Sequence, residues 1–461
     1  MLYLDGEQFG YAYLTGESVS FVYSNGECIY PGTILSDEIA MFISGKIFNG
    51  VPLYDVRNCI AIIRSETPPP ADIVSYTISD PNYTHGPDNT ISAWIVSGAD
   101  SILYWYCESI NVFANQYFSV GDGPYRRTIT NISGLEHIDM SRTENLSWCL
   151  YSFRNLSDLY AISNWDTSHV TDFMYCICDC GVTDLSALSG WDTSSGREFY
   201  GMFADCPNLL DISDIGSWDM HNAESLRYMF SRIPATSIPV LSWDISAVSS
   251  IDDMFSGCNY LTDVSGLADW DVSGISSMYG VFLRCQNLSD ISPLAHWNPS
   301  RDCNLGFMFS GTSVSDISPT YSWDITGGYG MFAETEITAF DFNCYYNVSA
   351  NSVDFSYVTR GCKKLLICDL GDKVKRLFPV DLFTGCTVLH TLIIRNTSMV
   401  PFLTSSQINT AFADCPVMKS SAGKLYVPQA LIAEYTADLR WYSALLRYGC
   451  QVLPIEGSPY E

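Results

Sequence analysis

The sequence predicts an α/β solenoid made of repeats of about 26 residues, preceded by a small N-terminal β meander and a mostly β region, and followed by a C-terminal helical cap. Two recurring features predict the solenoid: a Trp-Asp pair or a close variant of it, and a second large apolar residue at a fixed distance after that pair. A unit this short cannot bury its own apolar face, so successive units must stack into one continuous core.

The first feature is an apolar residue followed by Asp or Asn. The first residues of these pairs are Ile138, Trp165, Trp191, Trp218, Trp243, Trp270, Trp297 and Trp323. Twelve residues after each of the first seven comes a second apolar anchor, and the eighth copy is shortened to nine. These second anchors are Leu150, Ile177, Phe203, Phe230, Phe255, Phe282, Phe309 and Phe332. Variation in repeat length therefore falls outside this segment, as is typical of loops.

The segment between the two anchors is predicted to be a short helix. Its apolar residues are spaced three or four apart, as in Val248, Ile251, Met254 and Phe255, and the preceding Asp-x-Ser/Thr is a typical capping sequence. The stretch after the following Cys-x-x-Leu, which ends in Asp-Ile-Ser or Asp-Val-Ser, is predicted to be the strand. One strand and one short helix in each unit match leucine-rich-repeat geometry.

The rest of the chain divides around this array. Residues 1–32 contain a repeat of ten residues that predicts three short strands with glycine turns at Gly6, Gly16 and Gly26, and we expect this meander to dock or to mediate oligomerisation. Residues 33–130 are predicted to be mostly strands, including 60–63 and 91–96, with a hairpin in SAWIVSGADSILYWY. The solenoid spans 131–425, irregular after 333, and the cap spans 426–461, with helices at 428–436 and 438–447 and a final strand at 451–455.

Composition limits the classes of partner. The formal net charge is −28, from 51 acidic and 23 basic residues, so we expect no nucleic-acid partner. The sequence contains no apolar stretch long enough to span a membrane, and the N-terminus does not resemble a signal peptide, because Lys46 is the first basic residue. We therefore expect neither membrane insertion nor export by that route. The 17 cysteines include Cys180, Cys206, Cys258 and Cys285 at one repeat position, which indicates reduced core cysteines rather than a disulfide framework.

The repeats resemble those of the BspA-like leucine-rich-repeat surface proteins, a family found in gut bacteria and in phages that infect them. The phrases WDTSHVTDF, WDISAVSSIDDMFSGCNYLTDVSGLADWDVS and FADCPNLLDIS carry this resemblance, which covers roughly residues 93–455. The ending TLIIRNTSMV with KLYVPQALIAEYTADLRWYSALL is similar to the ends of such proteins in gut phages, and MLYLDGEQFGYAYL is similar to N-termini of phage structural proteins.

The resemblance implies a protein that binds rather than catalyses. Because bacterial members are expected to carry a signal peptide, the phage branch is favoured: a virion fibre, decoration or host-attachment protein, assembled in the host cytoplasm. Its expected partners are other virion proteins, bound through the N-terminal region, a host surface protein or glycan, and further copies of the chain in a homo-oligomer. The alternative is a bacterial cell-surface adhesin that binds host protein or glycan, and a glycan-degrading enzyme is a third, less supported option.

Individual residue patterns predict no catalytic, cofactor-binding or metal site. The six histidines, His85, His137, His169, His221, His296 and His390, are scattered, and Cys176, Cys178 and Cys180 are better explained by core packing than by a metal. The recurring Asp of the Trp-Asp pairs invites a calcium hypothesis, but helix capping explains it better. The tryptophans are predicted to be buried wedges between coils rather than sugar-stacking platforms.

Overall fold

The computed structural model describes residues 128–325, 327–345, 355–371, 381–397 and 405–461, with only the backbone of 405–407. Before residue 128 it describes only the backbone of short strands. Several predictions therefore lie outside the described residues, including the turns at Gly6, Gly16 and Gly26 and the position of His85.

The N-terminal repeat forms five short strands rather than the three predicted. They are β1 (Tyr3–Leu4), β2 (Glu7–Gln8), β3 (Ala12–Thr15), β4 (Ser18–Ser24) and β5 (Glu27–Ile29). Strands β1 and β2 pair antiparallel, and β3, β4 and β5 form a separate antiparallel sheet. The ten-residue repeat therefore yields hairpins, in agreement with its strand prediction, but in two sheets.

The next region contains the predicted strands and hairpin. Its strands are β6 (Cys59–Arg64), β7 (Tyr76–Ile78), β8 (Ile91–Val96), β9 (Ser101–Tyr106) and β10 (Val112–Phe113). Strands β8 and β9 pair antiparallel, as predicted for the hairpin, and the sheet order is β6-β9-β8-β7. Strand β10 pairs in parallel with β11 (Ile138–Asp139), which begins the stack of coils.

The predicted helix between the two anchors is wrong for the described residues of the eight copies from Ile138 to Phe332. Instead, two successive turns follow one another, each closed by the N–H of its fourth residue donating to the carbonyl of its first; in one coil Met254 donates to Ile251 and Cys258 to Phe255. The third residue of each turn has a positive φ, here Asp253 (53°) and Gly257 (75°), as in type II turns. Two such turns bury residues i, i+3, i+4 and i+7, which is also the apolar spacing of a helix.

Adjacent coils are joined through the same segment. Leu146, Trp148, Leu150 and Ser152 donate their N–H groups to carbonyls of the next coil over 2.7 to 2.8 Å, and the intervening residues bond within their own coil. Isolated parallel bridges mark the start of this ladder in each coil, at Asn145, Asp172, Glu198, Ser225, Ser250, Ser277 and Asn304. The segment predicted to be helical is therefore the hydrogen-bonded face of the solenoid.

The predicted strand after Cys-x-x-Leu is also wrong in the central coils. There, short 3₁₀ helices occupy Leu135–His137, Tyr160–Ile162, Ser186–Leu188, Ser213–Ile215, Ser265–Leu267, Ser292–His296 and Ser318–Thr320. The Asp of Asp-Ile-Ser accepts the N–H of the residue two positions later, as Asp211 does from Ser213 over 2.9 Å. This local bond favours a turn over a strand.

The same position becomes a strand in the last coils, where aliphatic residues replace the Asp-Ile-Ser turn. The strands are β12 (Ala339–Asp341), β13 (Ile367–Asp369), β14 (Thr391–Ile393), β15 (Lys424–Val427) and β16 (Gln451–Pro454). They form one parallel sheet in chain order. The strand prediction therefore holds for these coils, because Ile367-Cys368 and Leu392-Ile393 favour extended backbone.

The C-terminal segment combines short helices with the last strand. The α-helices are α1 (Ser405–Ala411), α2 (Ile432–Ala437) and α3 (Leu439–Ala444), and 3₁₀ helices occupy Phe342–Cys344, Gln429–Leu431 and Leu446–Tyr448. Trp441 of α3 is fully buried, and its ring lies 6.4 Å from that of Phe412. Among the described residues, no helix is long and apolar enough to cross a membrane.

One core runs from Ile129 to Cys450. The phenylalanines of the second anchors form a continuous stack, with ring centroids of Phe230 and Phe255 5.7 Å apart and those of Phe255 and Phe282 6.0 Å apart. Beside them, six of the seven buried Trp-Asp tryptophans, Trp165 to Trp297, donate Nε1–H to a carbonyl of the preceding coil, as Trp243 does to Ile215 over 3.0 Å. Stacking of successive coils thus supplies both apolar burial and hydrogen-bond partners.

Candidate functional site

A strip of aromatic side chains runs along the outside of the hydrogen-bonded face. We call this strip the aromatic ridge, and it comprises Trp148, Tyr151, Tyr175, Tyr200, Tyr228, Tyr279, Phe307, Tyr329 and Tyr357. All are half-buried or exposed, and Trp148 and Tyr329 expose 36% and 38% of their surface. Aromatic groups gathered in one strip at the surface, rather than scattered singly, are typical of binding surfaces.

The rings of the ridge contact one another from coil to coil. In its N-terminal half, the ring centroids of Trp148 and Tyr175 are 4.5 Å apart, those of Tyr175 and Tyr200 5.1 Å, and those of Tyr200 and Tyr228 5.2 Å. In its C-terminal half the distances are 5.7 Å from Tyr279 to Phe307, 5.1 Å from Phe307 to Tyr329 and 5.0 Å from Tyr329 to Tyr357. Four of these six contacts are edge-to-face.

Five ridge residues occupy the left-handed position of the first turn. They are Trp148 (φ 61°), Tyr175 (52°), Tyr228 (57°), Phe307 (54°) and Tyr357 (61°). A side chain with a β-carbon costs about 1 kcal/mol or more in this conformation, which glycine adopts freely. Ser152, Asp179 and Arg232 adopt the same conformation at the third residue of the second turn, so the turns of the fold themselves require it. At five first turns the chain carries a bulky ring there instead of glycine.

Glycine occupies the same position in coils whose aromatic residue lies one place earlier. Gly201 follows Tyr200, Gly280 follows Tyr279, and Gly330 follows Tyr329. Gly201 and Gly330 make room for the ring of the preceding coil, because a β-carbon at Gly201 would lie 2.5 Å from the ring of Tyr175, and one at Gly330 2.4 Å from that of Phe307. At Gly280 a β-carbon would instead lie 2.6 Å from Oδ1 of Asp253. The ridge therefore alternates between two sequence positions, while its rings stay in contact from Trp148 to Tyr228 and from Tyr279 to Tyr357.

A polar cluster interrupts the ridge between Tyr228 and Tyr279. Asp252 accepts hydrogen bonds from the Ser277 hydroxyl (2.5 Å) and the Tyr279 N–H (2.8 Å), and its carboxylate lies 3.6 Å from Nε of Arg227. The Arg227 guanidinium lies 5.7 Å from the centre of the Tyr200 ring. Burial, with a hydrogen bond to Asp253, raises the pKa of Tyr228 to about 12. This cluster divides the ridge into two halves.

Carboxylates border the N-terminal half of the ridge. Asp172 accepts hydrogen bonds from the Asn145 amide and the Met174 N–H, each over 2.9 Å, and Glu198 occupies the equivalent place in the next coil. Burial raises the pKa of both carboxyls, and for Glu198 the negative charges of Asp172 and Glu224 raise it further. These partly desolvated charges form an acidic border beside the rings.

The tryptophans of the Trp-Asp pairs are buried, as predicted. Trp165, Trp191, Trp218, Trp243, Trp270, Trp297 and Trp323 expose no more than 6% of their surface. They therefore offer no platform for sugar stacking, in agreement with their interpretation as wedges between coils. Cys180, Cys206, Cys258 and Cys285 are likewise buried, and each donates its thiol to a carbonyl of the preceding coil over 2.8 to 3.2 Å.

The aspartates of the Trp-Asp pairs cap turns, which corrects the prediction that they cap helices. Asp166 accepts the N–H of Ser168 over 3.1 Å, and Asp244 and Asp271 accept that of Ser246 and Ser273 over 3.0 Å. Hydrogen bonds from these serines lower the pKa of all three carboxyls. Within the described residues, no group of His, Cys, Asp and Glu has the arrangement of a metal site.

The remaining singled-out residues are placed separately. Cys176, Cys178 and Cys180 are buried in the core, as the packing interpretation predicts. His137, His169 and His221 lie at exposed turns of three different coils, and His390 is half-buried beside Thr391. The structure therefore brings no predicted catalytic constellation together among the described histidines and cysteines.

The sequence analysis missed the ridge, although the sequence contains a signal for it. In coil after coil, one of the two positions that lie two and three residues before the second anchor is aromatic, and the other is glycine or a smaller or polar residue. The pairs are Ser147-Trp148, Met174-Tyr175, Tyr200-Gly201, Arg227-Tyr228, Tyr279-Gly280, Gly306-Phe307 and Tyr329-Gly330. A search for one fixed aromatic position does not detect such an alternation.

Comparison with known proteins gives a family model and two solved structures. The family model described as "Mycoplasma protein of unknown function, DUF285" matches residues 144–266 and 225–346. No curated protein matches. A leucine-rich cell-surface protein from Faecalibacterium prausnitzii A2-165 is 14% identical, covering 88% of this chain and 98% of its own, with a TM-score of 0.36. The pneumococcal vaccine antigen PcpA is 10% identical, covering 80% and 97%, with a TM-score of 0.38. The assignment of a solenoid rests on the coil geometry described above.

Proposed function

We propose that this chain is a non-enzymatic binding protein whose aromatic ridge contacts a partner at a biological surface. The observation that carries the proposal is the ridge itself: half-exposed tyrosine, tryptophan and phenylalanine rings that continue across the coils and are held in part by strained backbone. Tyr and Trp are enriched among the residues that dominate binding energy, because they combine large apolar area with a polar group and little conformational freedom.

The setting of this binding has two candidates. The virion role, in a fibre, decoration or host-attachment protein, rests on the similarity of both chain ends to phage proteins, and none of the matched proteins is described as a phage protein. The bacterial adhesin rests on the BspA-like repeat sequence. In either setting, the N-terminal strands are proposed as the attachment or oligomerisation element, and the partner is proposed to be a host protein or glycan.

One experiment separates the settings. Proteomics of purified phage particles, and of surface-labelled cells from the same culture, measures where the full chain resides. Copies in the particle support the virion role, and labelled protein on intact cells supports the adhesin. Presence only inside cells contradicts both settings.

A second experiment tests the ridge. The full chain and two triple variants are applied to arrays of host and bacterial surface proteins and glycans. The ridge variant carries Tyr175→Ser, Tyr200→Ser and Tyr228→Ser. The matched control carries Tyr160→Ser, Tyr260→Ser and Tyr442→Ser, three tyrosines off the ridge that expose 75%, 60% and 52% of their surface.

We expect the ridge variant to lose about tenfold or more in affinity for every ligand that the wild-type chain binds, because loss of central aromatic anchors removes most of the binding energy. The control should keep affinities within about twofold, as expected for surface changes outside an interface. Circular dichroism melting establishes that both variants are folded. Equal binding by the two variants would contradict the proposed contact surface.

A further inference from the structure

The two halves of the ridge differ in the charge beside them. Next to the N-terminal half, two adjacent rows of side chains run across four coils, at 144–145, 171–172, 197–198 and 224–225. These rows contain four acidic residues, Glu144, Asp172, Glu198 and Glu224, and one basic residue, Arg197. Arg197 is already ion-paired with Glu224 over 2.8 Å. In the next three coils the same rows hold Ser249, Ser250, Ser276, Ser277, Cys303 and Asn304, which carry no charge.

The charged rows lie directly against the rings. Asp172 accepts the N–H of Met174, the residue before Tyr175, and Glu198 lies two residues before Tyr200. Rings and carboxylates therefore form two parallel tracks from Trp148 to Tyr228. On the other side of the ridge, acids are matched by bases, because Arg154 pairs with Asp179 and Arg232 pairs with Asp205.

We infer, on the basis of the proposed function, that the N-terminal half of the ridge binds a basic protein segment whose lysine and arginine side chains lie between the rings and the acidic border. Charge complementarity identifies this occupant, since carboxylates placed beside the rings repel an anionic ligand and attract a cationic one. A cation beside a tyrosine face also gains a cation–π attraction, and Arg227 beside Tyr200 already shows this geometry within the chain.

Asp172, in the middle of the border, is bonded to neutral groups. It accepts hydrogen bonds from the Asn145 amide and the Met174 N–H. A basic side chain of the ligand would supply the positive charge that these partly desolvated carboxylates favour. In the C-terminal half, from Tyr279 to Tyr357, the equivalent rows are uncharged, and Asp252, which is bonded to Tyr279, already faces Arg227. We therefore place the basic-segment site in the N-terminal half.

The test measures binding of three fluorescent peptides, oligolysine, oligoglutamate and a glycine-serine peptide, to the full chain at physiological ionic strength. The border variant is Asp172→Asn with Glu198→Gln. The charge-matched control is Asp244→Asn with Asp271→Asn, two exposed aspartates outside the ridge. Asparagine is compatible with the Asp172 position, because Asn145 and Asn304 occupy it in other coils and accept the equivalent backbone N–H.

We expect oligolysine alone to bind, and the border variant to weaken it about fivefold or more, because two close charge contacts are lost. The ridge triple variant should weaken it comparably, whereas the charge-matched control should change it less than about twofold, as expected for screened, distant charges. An equal loss in both charge variants would mean that only the net charge attracts oligolysine, and would overturn the inference.

The peptide and array experiments together separate failure of this inference from failure of the proposed function. If array ligands bind through the ridge but the border variant binds oligolysine as tightly as the wild-type chain, the basic-segment inference fails and the ridge remains a binding surface. The same conclusion follows if every ridge-dependent ligand on the arrays is a glycan. If the ridge variant binds every array ligand as the wild-type chain does, the proposed function and the inference fail together.

Discussion

Two aromatic columns run along the coils, and they are built in opposite ways. The buried tryptophans occur at one strict sequence phase, and six of them, from Trp165 to Trp297, donate to a carbonyl of the preceding coil over 2.9 to 3.2 Å. The ridge alternates between two phases, is half-exposed and requires left-handed backbone at five rings. Packing in the core explains the strict phase of the first column. It does not explain the second, which is why the second is the candidate binding surface.

The largest effect that separates the columns is expected from Trp243→Ala. Trp243 exposes 6% of its surface and its Nε1–H is bonded to Ile215. Its loss should lower the free energy of unfolding by about 3 to 5 kcal/mol, because a large buried side chain leaves a cavity. Urea denaturation followed by circular dichroism measures this. Tyr260→Ala, at an exposed site, should stay within about 0.5 kcal/mol of wild type. Similar losses in both variants would contradict the assignment of the tryptophans as the packed column.

An intermediate effect is expected where the ridge meets glycine. Gly201→Ala places a β-carbon at φ 60° and 2.5 Å from the ring of Tyr175, and should cost about 1 to 3 kcal/mol. Gly190→Ala is the matched control, because a β-carbon there meets nothing within 4 Å.

The double variant Gly201→Ala with Tyr175→Ala separates strain from crowding. It should recover the part of the loss caused by the ring, leaving the part caused by the left-handed backbone. The free energies of unfolding of the wild type, both single variants and the double variant are measured in the same denaturation assay. The interaction between the two sites is the double-variant loss minus the sum of the two single-variant losses. Strictly additive losses would show that Tyr175 does not lie over Gly201.

The smallest effect concerns the acidic border and its pH dependence. Burial raises the pKa of Glu198 in the folded chain, so the folded state binds its proton more tightly than the unfolded state does. Stability from this group is therefore present below its unfolded pKa and is lost as pH rises through its folded pKa.

Glu198→Gln should consequently raise stability slightly near neutral pH and leave it unchanged in acid, where the native side chain is already protonated. Thermal melting of the wild type and the variant, from acidic to neutral pH, measures the difference in stability. The turn-capping Asp271 provides the opposite case, because its pKa is lowered and its stabilisation is lost as pH falls through the folded value. A Glu198→Gln variant less stable than wild type at neutral pH would show that the border is not under electrostatic strain.

The sequence alone predicted the repeat, its buried residues and several strands, because those features depend on periodic burial. The first and second anchors, the core cysteines and the strands predicted at 60–63 and 91–96, observed at Cys59–Arg64 and Ile91–Val96, all follow from apolar spacing and residue type. The helix within each coil did not follow. Ile251, Met254, Phe255 and Cys258 have helical spacing, yet two successive turns with left-handed third residues bury the same positions.

What the sequence by itself determined is which residues each coil buries, since burial is repeated coil after coil and is encoded by residue type. What only the tertiary structure decided is which side chains meet on the outside. Tyr175, Tyr200 and Tyr228 lie in different coils and at two different repeat positions, and they become neighbours only because the coils stack with one ring over the next coil's glycine. Contacts of that kind depend on distances between coils, which no periodicity within a coil specifies.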